Sequence, residues 1–544
     1  MPQSEVYDVV VVGSGAGGGA AAWALARRGI KVLVLEAGPR FLPQYDYPQT
    51  QSDWQSRRFP DRVTSPRYTF APLQKLDAHY THLRSRNARL GDAVSGDSRV
   101  GGEYQHVRGV GGTTLHYSGE AHRLHPRAMR MRSDFGVAAD WPLSYDELEP
   151  FYDRVERLIG VAGPSSQGDR WRSQGYPLPA HPPSYCSQRM TADSSLNWQA
   201  NSLAILSRDY DGRPACNYCA ACNSGCPRGD KGSVDVTFIR AAEATGNCQV
   251  APNSTVLKLV AGQGDRIDHL VVAGVDGSTR EIKTSQLILA CGAVETPRLL
   301  LNSGVANESG LVGRHFMETL SWVASGLHAQ NLGSHRGLPV DTVCWDFNAP
   351  DAVDGVPGGF VLSISTPQSG LIGPASYANR LLDGWGRAHK QAMREQFGRA
   401  VSVTAVGECL PNEGSFIDLD PDAKDSHGLP LPRIHSHLDA LALKRLEAMR
   451  ARCHQVLEEA GGVKVLEEIG SYDTFNSTHV FGTCRMGEDA KTSVVDRWGR
   501  SHRWRNLYIA DASVFPSSGG GEAPSLTIQA LAVRAAEHLA AAKA

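Results

Sequence analysis

The stretch VVVVGSGAGGGAAAWALARRGIKVLVLE, residues 9–36, decides the fold of this chain. It opens with an uninterrupted apolar run, which is typical of a parallel strand buried on both faces. A Gly-x-Gly-x-x-Gly pattern follows at Gly13, Gly15 and Gly18, and the alanines after it predict a helix. A second apolar run ends at Glu36. The stretch therefore predicts a strand, a glycine-rich turn, a helix and a second strand, which together form the βαβ unit of an α/β fold.

Each glycine of this pattern has a physical role that points to a dinucleotide. Gly13 permits the tight turn, Gly15 lets the backbone approach a pyrophosphate, and Gly18 lets the helix pack on the strand. The free N–H groups at the helix N-terminus attract phosphates. Glu36 stands where a ribose hydroxyl is held. We therefore predict a dinucleotide site, and the position of the unit at the start of the chain favours FAD.

The composition of the 544 residues excludes several classes of protein. The formal net charge is -2, whereas a nucleic-acid-binding protein needs a strong basic excess. No run of 18 or more apolar residues occurs, so we expect no membrane span. The opening residues MPQSEVYD carry no signal peptide pattern, which predicts a cytoplasmic location. The eleven cysteines do not resemble a secreted disulfide framework.

The C-terminal part of the chain returns to the same site. NLYIA, residues 506–510, predicts a buried strand that ends at Asp511, and SLTIQALAVRAAEHL predicts a helix after it. A strand, an acidic turn and a helix N-terminus form a second site for an anionic group. We therefore expect Asp511 and Ala512 to contact the cofactor.

Five blocks of sequence in this order carry a resemblance to a known family. The blocks are VVVVGSGAGGG with LEAG, VGGTTLHYSG (110–119), LILACGAVETPRLLLNSG (287–304), HVFGTCRMG (479–487) and NLYIADASVFP (506–516). With them, the chain resembles the glucose–methanol–choline (GMC) family of FAD oxidoreductases. DWPLSYDELEPFYDRVE (140–156) and GRPAC (212–216) are similar to its branch of bacterial FAD-dependent glucose and fructose dehydrogenase catalytic subunits.

The resemblance implies both a fold and a division of the chain. We expect an α/β protein, with a GMC-type FAD-binding Rossmann-like domain and an inserted α+β substrate domain built from an antiparallel sheet plus helices. The expected FAD-binding segments are 1–160, 210–310 and 470–544. The expected substrate-binding segments are 161–210 and 311–469.

The resemblance also implies a catalytic base. Alcohol oxidation removes a proton from the hydroxyl group and a hydride from the carbon, and histidine suits the proton transfer because its ordinary pKa lies near working pH. The family pattern H-x-x-G-T places that base at His479. A second polar residue of the branch falls on Ala523, which cannot replace it. Glu522 either takes over this polar role or faces solvent on a glycine-rich loop.

A carboxylate beside the flavin would raise the pKa of His479 and favour a substrate with several hydrogen-bond donors, such as a sugar. The block at 110–119 adds three more candidates at the cofactor. Gly111 and Gly112 allow the backbone to pass close to the flavin. His116 either carries the flavin covalently, as the spacing in pyranose oxidases implies, or packs near its dimethylbenzene edge.

The stretch CNYCAACNSGCP, residues 216–227, contains four of the eleven cysteines. The spacing of Cys216, Cys219, Cys222 and Cys226 is that of the bacterial ferredoxin run. In the branch that the chain resembles, three cysteines with the spacing of Cys216, Cys222 and Cys226 hold a three-iron cluster (3Fe-4S). Cys219 completes a four-iron cluster (4Fe-4S) or simply lies nearby. A zinc site and plain thiols remain open as alternatives.

A cluster near the flavin would let electrons leave one at a time for a cytochrome or quinone acceptor. The sequence therefore predicts a dehydrogenase for a small-molecule alcohol or sugar. A GMC oxidase that forms H2O2 without a cluster is one alternative, and a catalytically weakened flavoprotein subunit is another. Relatives with a cluster are exported with a small signal-bearing partner, so a chaperone-like subunit and a periplasmic location by co-export are also expected alternatives.

Overall fold

The computed structural model describes residues 7–47, 67–92, 96–165 and 170–543. Five parallel strands form one sheet, named here the parallel sheet. Its strands, in spatial order, are Cys248–Ala251, Val32–Leu35, Val9–Val12, Gln286–Leu289 and Leu507–Ile509. The two strands of the N-terminal unit are buried along their whole length, which explains their uninterrupted apolar runs. The expected βαβ unit at 9–36 is confirmed.

Two helices from opposite ends of the chain pack together, and the first of them also packs against the parallel sheet. They are Ala16–Ala26 and Ser525–Lys543. Glycine makes the close approach of the first helix feasible, because a Cβ atom at Gly17 would lie 1.6 Å from the Ala510 carbonyl oxygen. The C-terminal block is therefore built directly onto the N-terminal unit.

Eight antiparallel strands form a second sheet, named here the antiparallel sheet. In spatial order they are Gly91–Asp92, Arg86–Asn87, Val465–Gly470, Leu320–Leu327, Ala400–Gly407, Phe360–Ile364, Thr342–Cys344 and Trp198–Ala200. Side chains alternate between the two faces of a sheet. One face, which includes Trp322 and Ala405, packs against the helix Ala440–Glu459, while Val323 and Thr404 on the other face line a cavity.

The remaining strands form small sheets around these two. They are Thr255–Ala261 with Ile267–Ala273 and Thr279–Lys283; Phe416–Lys424 with Pro430–His435 and Thr69–Phe70; Met317–Glu318 with Val480–Phe481; Thr474–Ser477 with Val100–Tyr104; and Ala162–Gly163 with Leu178–Pro179. The other helices are Pro43–Asp46, Met131–Phe135, Tyr145–Ile159, Tyr185–Thr191, Arg240–Glu243, Gly292–Ser303, Pro374–Arg380 and Gly386–Gln396. Short 3₁₀ segments span Ala78–Leu83, Gly112–Leu115, Pro126–Arg130, Cys222–Ser224 and Ala512–Val514, and a π-helical turn spans Asp235–Ile239.

The expected fold class, an α/β Rossmann-like domain with an inserted α+β domain, is confirmed. The expected domain boundaries stay a prediction. The strands Arg86–Asn87 and Gly91–Asp92 fall in the segment 1–160 assigned to the FAD side, yet they extend the antiparallel sheet. Among the helices of the described residues, none combines the length and the apolar character needed to cross a membrane.

Candidate active site

A cavity of about 960 Å³ lies between the parallel sheet and the antiparallel sheet. Its turn end is lined by residues 13–17, Glu36 and Asp511. Its sheet end is lined by His479 and by the inner face of the antiparallel sheet. The carboxyl ends of parallel strands are where α/β folds bind ligands, so the turn end is placed as a dinucleotide site requires.

The glycines of the turn are required by close backbone contacts. Gly13 has a φ of +93°, and a Cβ atom there would lie 2.5 Å from the Ala290 carbonyl oxygen. A Cβ atom at Gly18 would lie 1.9 Å from the Gly13 carbonyl oxygen. Gly15 precedes the helix Ala16–Ala26 without a side-chain cap, and it lines the cavity. The helix N-terminus therefore keeps free N–H groups that fit a pyrophosphate.

Glu36 organises the turn as well as lining the cavity. Its carboxylate accepts hydrogen bonds from Ser14 N at 3.0 Å, from Ser14 Oγ at 2.7 Å and from Gly38 N at 2.9 Å. Burial raises the pKa of Glu36, against the opposing effect of these bonds. Its expected contact with a ribose hydroxyl stays a prediction.

The segment that holds Gly111 and Gly112 lies directly on the glycine turn. Gly111 N donates to Ser14 Oγ at 3.1 Å, and both glycines have a positive φ. A Cβ atom at Gly112 would lie 2.8 Å from Gly15 Cα, so these glycines permit the contact between the two turns. His116 is buried at the end of the 3₁₀ segment and lines the same cavity. Whether it bonds the flavin covalently remains a prediction.

Asp511 ties the C-terminal strand to the turn end of the cavity. Its Oδ2 atom accepts from Gly292 N at 3.0 Å and from Thr296 Oγ1 at 2.6 Å, and its Oδ1 atom accepts from Ser513 N at 2.8 Å. Burial raises the pKa of Asp511. Asp511 and Ala512 both line the cavity. Their contact with the cofactor, which the sequence predicts, stays a prediction.

His479 lies at the sheet end of the cavity and is partly buried. Its carbonyl oxygen accepts from Thr319 N at 3.0 Å and from Ser477 Oγ at 2.8 Å, which fixes the backbone that carries the ring. Burial lowers the pKa of His479 to about 4, although the negative charge of Glu120 raises it. The imidazole is therefore neutral near pH 7 and has a lone pair for a proton.

The structure supports neither expectation for Glu522. The residue is 4% exposed, so it does not face solvent, and its carboxylate does not line the cavity. Its Oε1 atom accepts from Arg170 at 2.7 Å, from Asn348 Nδ2 at 3.0 Å and from His125 N at 3.0 Å. Although burial opposes it, the charge of Arg170 holds the pKa of Glu522 below its ordinary value. Glu522 is therefore a buried residue that forms an ion pair with Arg170.

Three residues near His479 escaped the sequence analysis. Glu120 lines the cavity, and its Oε1 atom accepts from Asn201 Nδ2 at 3.1 Å. His122 Nε2 is 2.7 Å from Asn201 Oδ1, and His122 Nδ1 accepts from Ala523 N at 3.1 Å. Position 523 thus contributes its backbone N–H where the family pattern has a side chain. The only sequence signal was that Glu120 and His122 follow the block 110–119 directly.

The cysteine-rich loop lies beside the cavity, which Asn223 and Ser224 help to line. Tyr218 and Ala220 adopt positive φ values of 59° and 64°, so the backbone bends twice within the loop. Lys231 is fully buried, and its Nζ atom donates to the carbonyl oxygens of Leu115, Tyr117 and Cys222. This lysine fastens the loop to the segment that carries His116.

The four thiols of the loop are not gathered into a metal site. Within 7–47, 67–92, 96–165 and 170–543, no three histidine, cysteine, aspartate or glutamate side chains form a group that could hold a metal ion. Cys216 Sγ accepts from Tyr218 N, Cys226 Sγ donates to Asp230, Cys222 packs among apolar side chains and Cys219 is exposed. Burial raises the pKa of Cys222, and the charges of Cys216, Cys219 and Cys226 raise it further, so the four thiols are neighbours in the loop. The predicted iron–sulfur or metal site is nevertheless not supported by the described residues.

Comparisons with known proteins agree with this architecture. Family profiles described as GMC oxidoreductase match residues 105–320 and 411–532, which is more than half of the chain. A profile described as an NAD(P)-binding Rossmann-like domain matches residues 11–61.

Two curated relatives and one solved structure extend along almost the whole chain. The large subunit of fructose dehydrogenase from Gluconobacter japonicus is 29% identical, over 98% of this chain and 97% of its own. The 2-methyl-1,2-propanediol dehydrogenase of Mycolicibacterium austroafricanum is 28% identical, over 98% of this chain and 95% of its own. The structure of pyridoxine 4-oxidase from Mesorbium loti shares the fold, with a TM-score of 0.62, 19% identity and coverage of 98% and 99%.

Family, Rossmann-like domain and cavity together support FAD as the cofactor of an oxidoreductase that acts on alcohol or sugar substrates. The resemblance inferred from the five sequence blocks is confirmed, and the chain belongs to the GMC oxidoreductase family.

Proposed function

We propose that this protein is an FAD-dependent dehydrogenase that oxidises a CH–OH group of a sugar, polyol or other alcohol, with His479 as the base. The observation that carries the proposal is the position and protonation of His479. It lines the same cavity as the dinucleotide turn, and burial lowers its pKa to about 4. A neutral imidazole held at that point can accept the hydroxyl proton of a substrate.

The residues of the chain account for the proton side of this reaction. The hydroxyl O–H bond breaks as its proton moves to the imidazole of His479, and the C–H bond breaks as its electron pair leaves with the hydrogen. FAD, when bound, supplies the N5 atom that takes this hydride. The carboxylate of Glu120 raises the pKa of His479, so it favours the imidazolium that forms.

A dehydrogenase must pass its electrons to an external acceptor, and two curated relatives carry dehydrogenase names. A cytochrome or a quinone is the acceptor class that we propose. The iron–sulfur cluster remains a prediction from the cysteine spacing alone, and no step of the proposed reaction depends on it. The partner subunit and the location in the cell, cytoplasmic or periplasmic by co-export, are likewise proposals from the sequence.

The test uses the FAD-loaded protein under anaerobic conditions. Glucitol, fructose and 1,2-propanediol are mixed with it in turn, and bleaching of the flavin absorbance reports the reduction. We expect bleaching by at least one of them, and a loss of about 10²- to 10⁴-fold in its rate for His479→Asn. The variant Glu281→Gln is the matched control, because it removes an exposed carboxylate that does not line the cavity.

The same preparation separates the alternatives. Reoxidation of the reduced flavin by O2 faster than by a quinone or a dye would favour an oxidase. Failure of every alcohol and sugar to bleach the flavin would favour a catalytically weakened subunit. Assays for iron and acid-labile sulfide, with EPR before and after dithionite, test the predicted cluster independently of both outcomes.

A further inference from the structure

Glu120 is a carboxylate at the sheet end of the cavity, beside the proposed base. It lines the cavity, and its charge acts on His479. In the described part of the chain, no lysine or arginine side chain pairs with it, and its nearest ionisable partner is His122 Nε2 at 3.8 Å. The carboxylate therefore lacks a cationic partner in the cavity.

A chain of directed hydrogen bonds holds Glu120 in place. The backbone N–H of Ala523 donates to His122 Nδ1, so the ring proton of neutral His122 must reside on Nε2. Nε2 donates to Asn201 Oδ1, which turns the amide so that its Nδ2 atom donates to Glu120 Oε1. Ser118 Oγ donates to Glu120 Oε2 at 3.0 Å. Glu120 is thus oriented from both sides.

Glu120 retains capacity for a ligand. Each carboxylate oxygen can accept two hydrogen bonds, and each oxygen of Glu120 accepts one from the protein. Arg380, a cation that lines the cavity, is already paired, because it donates to both carboxylate oxygens of Glu467 and to the Ser369 carbonyl. The hydroxyl-bearing residues Ser321, Ser363 and Thr404 of the antiparallel sheet line the same cavity. Donors from a substrate fit the open positions on Glu120, and a second carboxylate does not.

We propose that Glu120 recognises a hydrogen-bond donor, hydroxyl or ammonium, on the carbon next to the one that is oxidised. The site would then select vicinal diols and amino alcohols against simple alcohols and hydroxy acids. His122 and Asn201 are positioning residues in this scheme. The inference rests on the proposed function, since it places the oxidised carbon at His479.

The test compares substrates that differ only beside one carbinol carbon. The primary alcohols carry, beside the carbinol carbon, a hydroxyl (ethylene glycol), an ammonium (ethanolamine), an apolar group (1-propanol) or a carboxylate (glycolate). The secondary alcohols carry the same four groups in the same order: 1,2-propanediol, 1-amino-2-propanol, 2-butanol and lactate. Anaerobic flavin reduction gives kcat/KM for wild type, Glu120→Gln and the surface control Glu281→Gln. Bleaching of the wild-type flavin by any of them upholds the proposed function, and the ratios between substrates test Glu120.

We expect Glu120→Gln to lower kcat/KM for diols and amino alcohols by about 10- to 100-fold relative to 1-propanol or 2-butanol, because hydrogen bonds to a charged group are lost. The hydroxy acids should improve. An equal fall for every substrate would overturn the proposal, because it would mean that Glu120 acts through His479 alone.

Asn201→Ala provides a second variant if Glu120→Gln loses flavin. It should raise KM for the diols more than KM for the simple alcohols, whereas a merely structural role would change both to the same extent. If wild type bleaches with none of the panel, flavin spectral titration with ethanolamine still tests Glu120: binding that is weaker in Glu120→Gln supports the role, and equal binding refutes it.

Discussion

A change of pH is a direct test of the environment of His479. Burial lowers the pKa of this histidine from 6.5 to about 4. Only the neutral imidazole can take the hydroxyl proton, so kcat/KM should fall as pH drops through the pKa of the folded protein. The acid limb of the pH profile should therefore lie near pH 4, far below the position of an ordinary histidine.

The magnitude follows from the two pKa values. At about pH 5.5, a histidine with a pKa of about 4 is ~97% neutral, whereas one with a pKa of 6.5 is ~9% neutral. Between about pH 7.5 and 5.5 the buried base should thus lose only a few per cent of its activity, and an unperturbed base would lose about tenfold.

The assay is anaerobic stopped-flow flavin reduction at limiting substrate, with flavin fluorescence and circular dichroism as controls for unfolding at each pH. His479→Asn should be slow and should lack the limb. Glu120→Gln should move the limb to lower pH, because Glu120 raises the pKa of His479. A tenfold loss with a midpoint near pH 6.5 in wild type, with the fold intact, would refute the reasoning.

Two further predictions concern the frame of the site. Glu522→Ala should lower the free energy of unfolding by about 3–5 kcal/mol, because it leaves the Arg170 guanidinium buried without its partner. The double variant with Arg170→Ala should lose much less free energy of unfolding than the two single variants combined. Urea denaturation measures these losses, and additive losses would contradict the coupling. Gly18→Ala should abolish FAD retention on purification, because its Cβ would lie 1.9 Å from the Gly13 carbonyl oxygen. Gly175→Ala, with open space around its Cβ, is the control and should retain the flavin. A flavin-loaded Gly18→Ala protein would contradict the packing argument.

The departure at position 523 has a structural counterpart. Alanine cannot offer a polar side chain, but its backbone N–H anchors the bonds that run through His122 and Asn201 to Glu120. The carboxylate that raises the pKa of His479 is therefore Glu120 and not Glu522. The sequence pointed to Glu522 for this effect, and burial nevertheless outweighs the carboxylate, so the pKa of His479 is lowered.

The parts predicted correctly depend on contacts that are local in the chain. The turn at Gly13, Gly15 and Gly18 lies between two strands that pair in parallel within about thirty residues, so spacing alone specifies it. The H-x-x-G-T pattern singled out His479, which lines the cavity, and its role as the base stays a prediction. The iron–sulfur prediction rests on spacing that is equally local, but the described loop does not support it, and it stays a prediction.

By itself, the sequence determined the Rossmann-like unit, the family, the cofactor class and the candidate base, because each is encoded in a short pattern whose chemistry needs those residue types at that spacing. Only the tertiary structure decided the direction of Glu522, which depends on Arg170 and Asn348, 352 and 174 residues away. It also decided that Glu120 faces the cavity, held by Asn201, 81 residues away. Sequence spacing cannot predict hydrogen bonds between residues so distant in the chain, because only the packed fold brings the partners together and sets the direction of each side chain.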